Sequence, residues 1–74
     1  MLNQIKKVEA IATEIDGTVR PDYSGRGMFG KTCFGIYCNN VTECLEVAGS
    51  HGLRGAKYDN MGKGYIVYWP GITN

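Results

Sequence analysis

Apolar and polar positions alternate most plainly in Thr32-Cys33-Phe34-Gly35-Ile36-Tyr37-Cys38, a β-branched and aromatic run bounded by loop residues. The run predicts a strand with Phe34, Ile36 and Cys38 turned to the core and Cys33, Gly35 and Tyr37 on the other face. Gly35 leaves room on that second face for another backbone or a ligand. The period then changes. Asn40 stands where a helix cap belongs, and Glu43 at the third helical position is placed to reach back to it. Val41, Cys44, Leu45 and Ala48 form the apolar stripe of a helix running to about Ala48, and Gly49 and Gly52 are suited to ending it. Leu53 to Tyr58 and Tyr65 to Trp69 read as two further strands, joined by the glycine-rich hairpin connection Asp59 to Gly64. Ile66 and Tyr68 face one way, Tyr65, Val67 and Trp69 the other, and Pro70-Gly71 stops the last strand.

The N-terminal segment fits two periods. Ile5, Val8, Ile11 with Ala12, and Ile15 make a helical stripe, while Ile11, Thr13 and Ile15 also fit one face of a strand. Asp16-Gly17 followed by Val19 looks like an early turn, which favours a strand for the second half of Ile5 to Ile15. Pro21 to Gly25 then opens a glycine loop. The pattern predicts a small antiparallel α+β domain in the order strand, strand, helix, strand, strand, with one short helix on one face.

At 74 residues the chain is a single domain, 1–74, and it has little interior to work with. One helix cannot cover both faces of a four-stranded sheet. Tyr37, Tyr65, Val67 and Trp69 are therefore candidates for a shared apolar surface, and a homo-oligomer is expected. Eight basic and seven acidic residues leave a net charge of +1, which argues against an acidic DNA mimic and ranks direct nucleic-acid binding last. No apolar run approaches the roughly 20 residues of a membrane helix. Met1 to Asp16 lacks the apolar core and cleavage site of a secretory signal, so a soluble cytoplasmic protein is expected. Cys33, Cys38 and Cys44 are odd in number and lack zinc spacing, which predicts reduced thiols in the core.

Candidate chemistry centres on Ser24-Gly25-Arg26-Gly27-Met28-Phe29-Gly30-Lys31. Glycines permit the positive-φ backbone whose N–H groups hold anions, and Arg26 and Lys31 add charge suited to phosphate. The order matches neither the nucleotide P-loop nor the dinucleotide fingerprint, and a strand rather than a helix follows. A tight strand connection with solvated cations explains the same residues equally well. A second cluster, Asn60-Met61-Gly62-Lys63-Gly64, has related chemistry, with Arg54 and Tyr58 just before it. Should the two loops converge, Arg26, Lys31, Arg54 and Lys63 would hold phosphates while Phe29, Tyr58 or Trp69 stacks on a base. Core packing is the competing role for those aromatics. His51 just past the helix reads as a surface or helix-end cation. The acids Glu9, Glu14, Asp16, Asp22, Glu43, Glu46 and Asp59 show no metal-type spacing, and Cys38 lacks an evident base. No catalytic or metal-binding residue and no cofactor is predicted.

The segments YSGRGMFGKTCFGI, Tyr23 to Ile36, and DNMGKGYIVYWPGI, Asp59 to Ile72, resemble a class of short phage and bacterial proteins. The resemblance covers somewhat over a third of the chain and brings no activity or site residue with it. It implies a viral origin, and hence a location in the host cytosol. The leading expectation is a non-enzymatic binding protein that counters host defence by holding a phosphate-bearing ligand, such as a nucleotide or cyclic-nucleotide signal. Its ligand residues would be Ser24, Gly25, Arg26, Gly27, Met28, Phe29, Lys31, Arg54, Tyr58, Asn60 and Lys63. The alternative is a protein–protein inhibitor of a host defence or nuclease complex that makes contact through Met28, Phe29 and the aromatic sheet face.

Overall fold

In the computed structural model, which describes residues 2–25 and 27–73, the order is α1 (Leu2–Ile15), β1 (Thr18–Tyr23), β2 (Cys33–Cys38), α2 (Val41–Ser50), β3 (Lys57–Asn60) and β4 (Tyr65–Thr73). The strands form one antiparallel sheet in the spatial order β1-β2-β4-β3. The α+β class therefore holds, with two corrections: there are two helices rather than one, and the chain begins with a helix rather than a strand.

The N-terminal ambiguity resolves as helix because Val8, Ile11 and Ala12 bury completely or nearly so against α2 and the sheet. A strand would turn Val8 and Ile11 to opposite faces, and only the helical period puts all three on one. The Asp16-Gly17 turn is where the sequence places it, but it ends a helix. Asp16 takes φ 57°, its N–H donates to the Thr13 carbonyl, and the Gly17 N–H donates to the Ala12 carbonyl at 2.8 Å. This paired bonding closes a helix end on a left-handed residue. A side chain at Gly17 would come within 2.7 Å of Ile36 Cγ2 and 2.9 Å of the Tyr37 carbonyl, so the turn presses directly on β2.

Helix α2 starts as expected, with Asn40 Oδ1 accepting from the Glu43 N–H at 3.1 Å. It runs to Ser50, two residues beyond the expected Ala48. Gly52 at φ 79° then donates to the Gly49 carbonyl, and the Leu53 N–H to the Ala48 carbonyl. Leu53 is thus a buried helix-closing residue and not the first residue of a strand. Strand β3 consequently starts at Lys57 and runs through Asp59 and Asn60, leaving Met61 to Gly64 as the hairpin loop.

Both helices cover one face. Phe34, Ile36, Cys38, Val67 and Trp69 meet Val8, Ile11, Ala12, Cys44, Ala48 and Leu53 there. This corrects the expectation of an exposed patch. Ile36 pairs with Val67 and Phe34 with Trp69, so Val67 and Trp69 lie on the helix side, apart from Tyr37, which pairs with Ile66. Pro70 and Gly71 do not stop β4. They lie in an irregular stretch where the register passes from Phe34↔Trp69 to Cys33↔Thr73, and the strand resumes beyond it.

The opposite face carries a second small core of Cys33, Ile66 and Tyr68, with Tyr23 and Met28 packed on it. A bulge makes this possible. Arg20 pairs with Gly35 but Tyr23 pairs with Cys33, so β1 carries one extra residue around Pro21-Asp22. The extra residue shifts the alternation and puts Tyr23 on the same face as Cys33. Another backbone does lie close at Gly35, that of the neighbouring strand: a side chain there would meet the Val67 carbonyl oxygen at 3.0 Å, with Tyr68 and Ile66 next to it.

Candidate functional site

The glycine loop is built from two consecutive tight turns. The Met28 N–H donates to the Gly25 carbonyl at 3.2 Å, and the Lys31 N–H donates to the Met28 carbonyl at 3.0 Å. In the second turn both central residues have positive φ, Phe29 at 52° and Gly30 at 86°. Such turns favour Asn-Gly or Gly-Gly at the centre, so a phenylalanine there is unusual. Three of the four residues from Gly27 to Gly30 have positive φ, and two of them are glycines.

One end of the loop is pinned to the sheet. Met28 Sδ accepts from the Gly25 N–H at 3.1 Å and lies 3.8 Å from Cys33 Sγ. A side chain at Gly25 would run into the Tyr68 ring at 2.5 Å. The Tyr23 and Tyr68 rings lie 4.9 Å apart, and the Tyr23 hydroxyl donates to Asp59 Oδ2. Burial, then that bond and the charge of Asp59, push the Tyr23 phenol up to about 12. Anchored this way, the turn holds Phe29 clear of the body, 96 % exposed. Lys31 is exposed beside it, and a hollow of about 250 Å³ lies between the tip and Pro70 and Thr73.

The two glycine clusters do not meet. Cys33, at the start of β2, pairs with Thr73, whereas Cys38, at its end, pairs with Tyr65. The loop before β2 and the hairpin before β4 therefore lie at opposite ends of the sheet. Gly64 packs against the Cys38 carbonyl at the far end. Of the residues expected to bind a ligand, Gly27, Met28, Phe29 and Lys31 line the hollow at the loop. Ser24 is exposed at its root, and Gly25 is packed under Tyr68. Arg26 lies outside the described residues. Arg54 is exposed in the connection after α2, and Lys63 is exposed in the far hairpin. Asn60 builds the hairpin itself, its Oδ1 accepting from the Gly62 N–H at 2.8 Å. Trp69, considered for stacking, is 2 % exposed in the helix-side core.

Tyr58 belongs to a second hollow, of about 510 Å³, at the far end. Asn39, Asn40, Val41, Thr42, Leu45, Tyr58 and Tyr65 line it. There the helix-side face of β3 is left uncovered, with Tyr58 and Asn60 exposed. Tyr58 and Tyr65 meet edge to face with centroids 6.3 Å apart, while Tyr58 and Leu45 are 57 % and 40 % exposed. Alternation along the last strand already set Tyr65 on the face of Val67 and Trp69. Nothing in the sequence shows that α2 falls short of β3.

His51 is held by Glu14, Nε2 to Oε2 at 2.8 Å, and so ties the ends of the two helices together. The three cysteines are free and buried, as expected. Burial raises all three thiols, Cys44 to about 12 with further contributions from Cys38 and Glu43. Among the described residues, no group of three or more His, Cys, Asp or Glu side chains is arranged to hold a metal ion. No helix among them is long and apolar enough to cross a membrane. Compared with protein-family models, curated proteins and solved structures, the chain matches none.

Proposed function

We propose that this chain is a non-enzymatic binding protein whose contact element is the loop 24–32, with Phe29 as its anchor and Lys31 beside it. The observation that carries the reading is Phe29 itself. Its ring is 96 % exposed and its backbone is in the left-handed region. That conformation costs about 1–2 kcal/mol for a residue with a side chain. Exposing the ring also forgoes the roughly 1.5–3 kcal/mol that burying it contributes. Among the described residues no contact offsets either cost, whereas an aromatic projecting from an anchored turn is the kind of residue that dominates protein interfaces.

A partner protein fits this tip better than a small phosphate-bearing ligand does. The hollow at the loop, about 250 Å³, is below the roughly 300–1,000 Å³ of small-molecule clefts. Lys63 also stands at the other end of the sheet from Lys31. Combined with the resemblance to phage proteins, the reading is an inhibitor that docks on a host defence or nuclease complex through Phe29. The test is a pull-down from host lysate with the wild-type chain and with Phe29→Ser. A stoichiometric protein captured by the first and lost by the second supports it. Equal recovery by both, or no partner at all, overturns it.

The ligand reading retains one observation in its favour, the pairing of an exposed ring with Lys31 over that hollow. Calorimetry against nucleotides and cyclic nucleotides tests it, and binding that Lys31→Ala abolishes is the supporting result.

A further inference from the structure

The molecule carries both a protruding aromatic and an empty aromatic hollow, at opposite ends of the same sheet. Phe29 stands free at the start of β2. At the end of β2, Tyr58, Tyr65 and Leu45, with Asn39, Asn40 and Thr42, line a hollow of about 510 Å³ that no side chain among the described residues fills. Opposite ends mean that Phe29 does not reach its own hollow but can reach that of another molecule. The charges match as well. The loop sequence from Ser24 to Thr32 contains Arg26 and Lys31 and no acid. The helix that supplies Val41, Thr42 and Leu45 to the hollow, α2, also exposes Glu43 and Glu46 farther round its surface.

We infer that the partner seated on the Phe29 tip is, in solution, a second copy of this chain, with the ring inserted between Tyr58, Tyr65 and Leu45. Lys31 of the inserting copy then lies toward Glu43 and Glu46 of the receiving one. The contact is heterologous: different surfaces of the two copies meet, so it can continue from copy to copy or close on itself. The inference rests on the reading of loop 24–32 as a contact surface and names one occupant for it. A host partner that docks on Phe29 would compete with this self-association.

The nature of the contact supplies its test. Phe29→Ser removes the knob and keeps the hole, whereas Tyr58→Ser weakens the hole and keeps the knob. Both positions are exposed, and far-UV circular dichroism checks that each variant folds. Sedimentation velocity from micromolar to millimolar concentration should show the wild type associating, at lower concentration in low salt than in high. Each variant alone should stay monomeric. An equimolar mixture should regain a one-to-one species, because one working knob meets one working hole. Leu45→Asp should behave as Tyr58→Ser does.

A wild type that is monomeric throughout overturns the inference. So does a variant that associates alone as the wild type does, or a mixture that stays monomeric. Should the wild type be monomeric while Phe29→Ser still loses a host protein in the pull-down, the self-association falls and the contact-surface reading stands.

Discussion

The Tyr23 hydroxyl donates a 2.5 Å hydrogen bond to Asp59 Oδ2, joining β1 and β3, the two outer strands of the sheet. The Tyr23 ring that makes it packs 4.9 Å, centroid to centroid, from that of Tyr68, on the intervening strand β4. The bond closes the helix-free face from edge to edge without any third layer of structure.

Removing that bond should destabilise the fold. Tyr23→Phe keeps the ring over Tyr68 but leaves a half-buried carboxylate without its donor, at an expected loss of about 1–3 kcal/mol. Urea unfolding measures it. The pH dependence has a defined sign. The Tyr23 phenol titrates near 12 in the folded chain and near 10 when unfolded, so the unfolded chain loses the proton first. Tyr23 therefore contributes its full stability below pH 10, and that contribution disappears as the pH rises toward 12. The gap between wild type and Tyr23→Phe should narrow over that window. A gap that stays constant or widens would show that the bond does not favour the protonated phenol.

Two glycine substitutions should act in opposite directions. Gly17→Ala puts a methyl group within 2.7 Å of Ile36 Cγ2 and 2.9 Å of a backbone oxygen, and a loss of about 1–3 kcal/mol is expected. Gly49→Ala, within α2 and with nothing inside 4 Å, should stabilise by about 0.5–1 kcal/mol. Thermal melts of the two variants against wild type decide the matter.

Asn40→Ala removes the cap of α2 and should lower stability by about 0.5–2 kcal/mol. Asn40→Asp should retain most of it, since a carboxylate oxygen accepts the same N–H. Denaturant midpoints give both numbers.

The thiols should be silent to reagents until the chain opens. All three cysteines are buried, and burial raises each thiol above its ordinary value, so little thiolate is available at neutral pH. A chromogenic disulfide reagent should react slowly with the folded chain and titrate three thiols in denaturant. Fast reaction of a single thiol in the folded state would place that cysteine at the surface.

What the sequence made legible follows from how local each signal is. Helix α2 and β2 could be read because Asn40, Gly52 and the run Cys33 to Cys38 carry their instructions within a few residues. Helix α1 could not, since its apolar positions suit two periods and burial against α2 makes the choice. Strand β1, TVRPDY, has the composition of a loop and is mostly exposed. It is a strand because β2 pairs with it, and Pro21 is tolerated because an edge strand can lack one donor at a bulge. At the candidate site, glycine density correctly marked an unusual backbone around Phe29. That the two glycine clusters stand at opposite ends is a matter of register, which no local signal carries. The hollow around Tyr58 depends on where α2 sits over the sheet, and a sequence does not display that.

The bulge at Pro21-Asp22 has a dynamic consequence as well. By turning Tyr23 outward it gives the helix-free face a core of its own, separate from the one beneath the helices. The smaller core is expected to open at lower cost than the larger one. Amide exchange of Gly25, Met28 and Lys31 should then report an opening free energy well below that of global unfolding. An opening of that smaller core would release the anchor under Gly25 and Met28 that holds Phe29 outward.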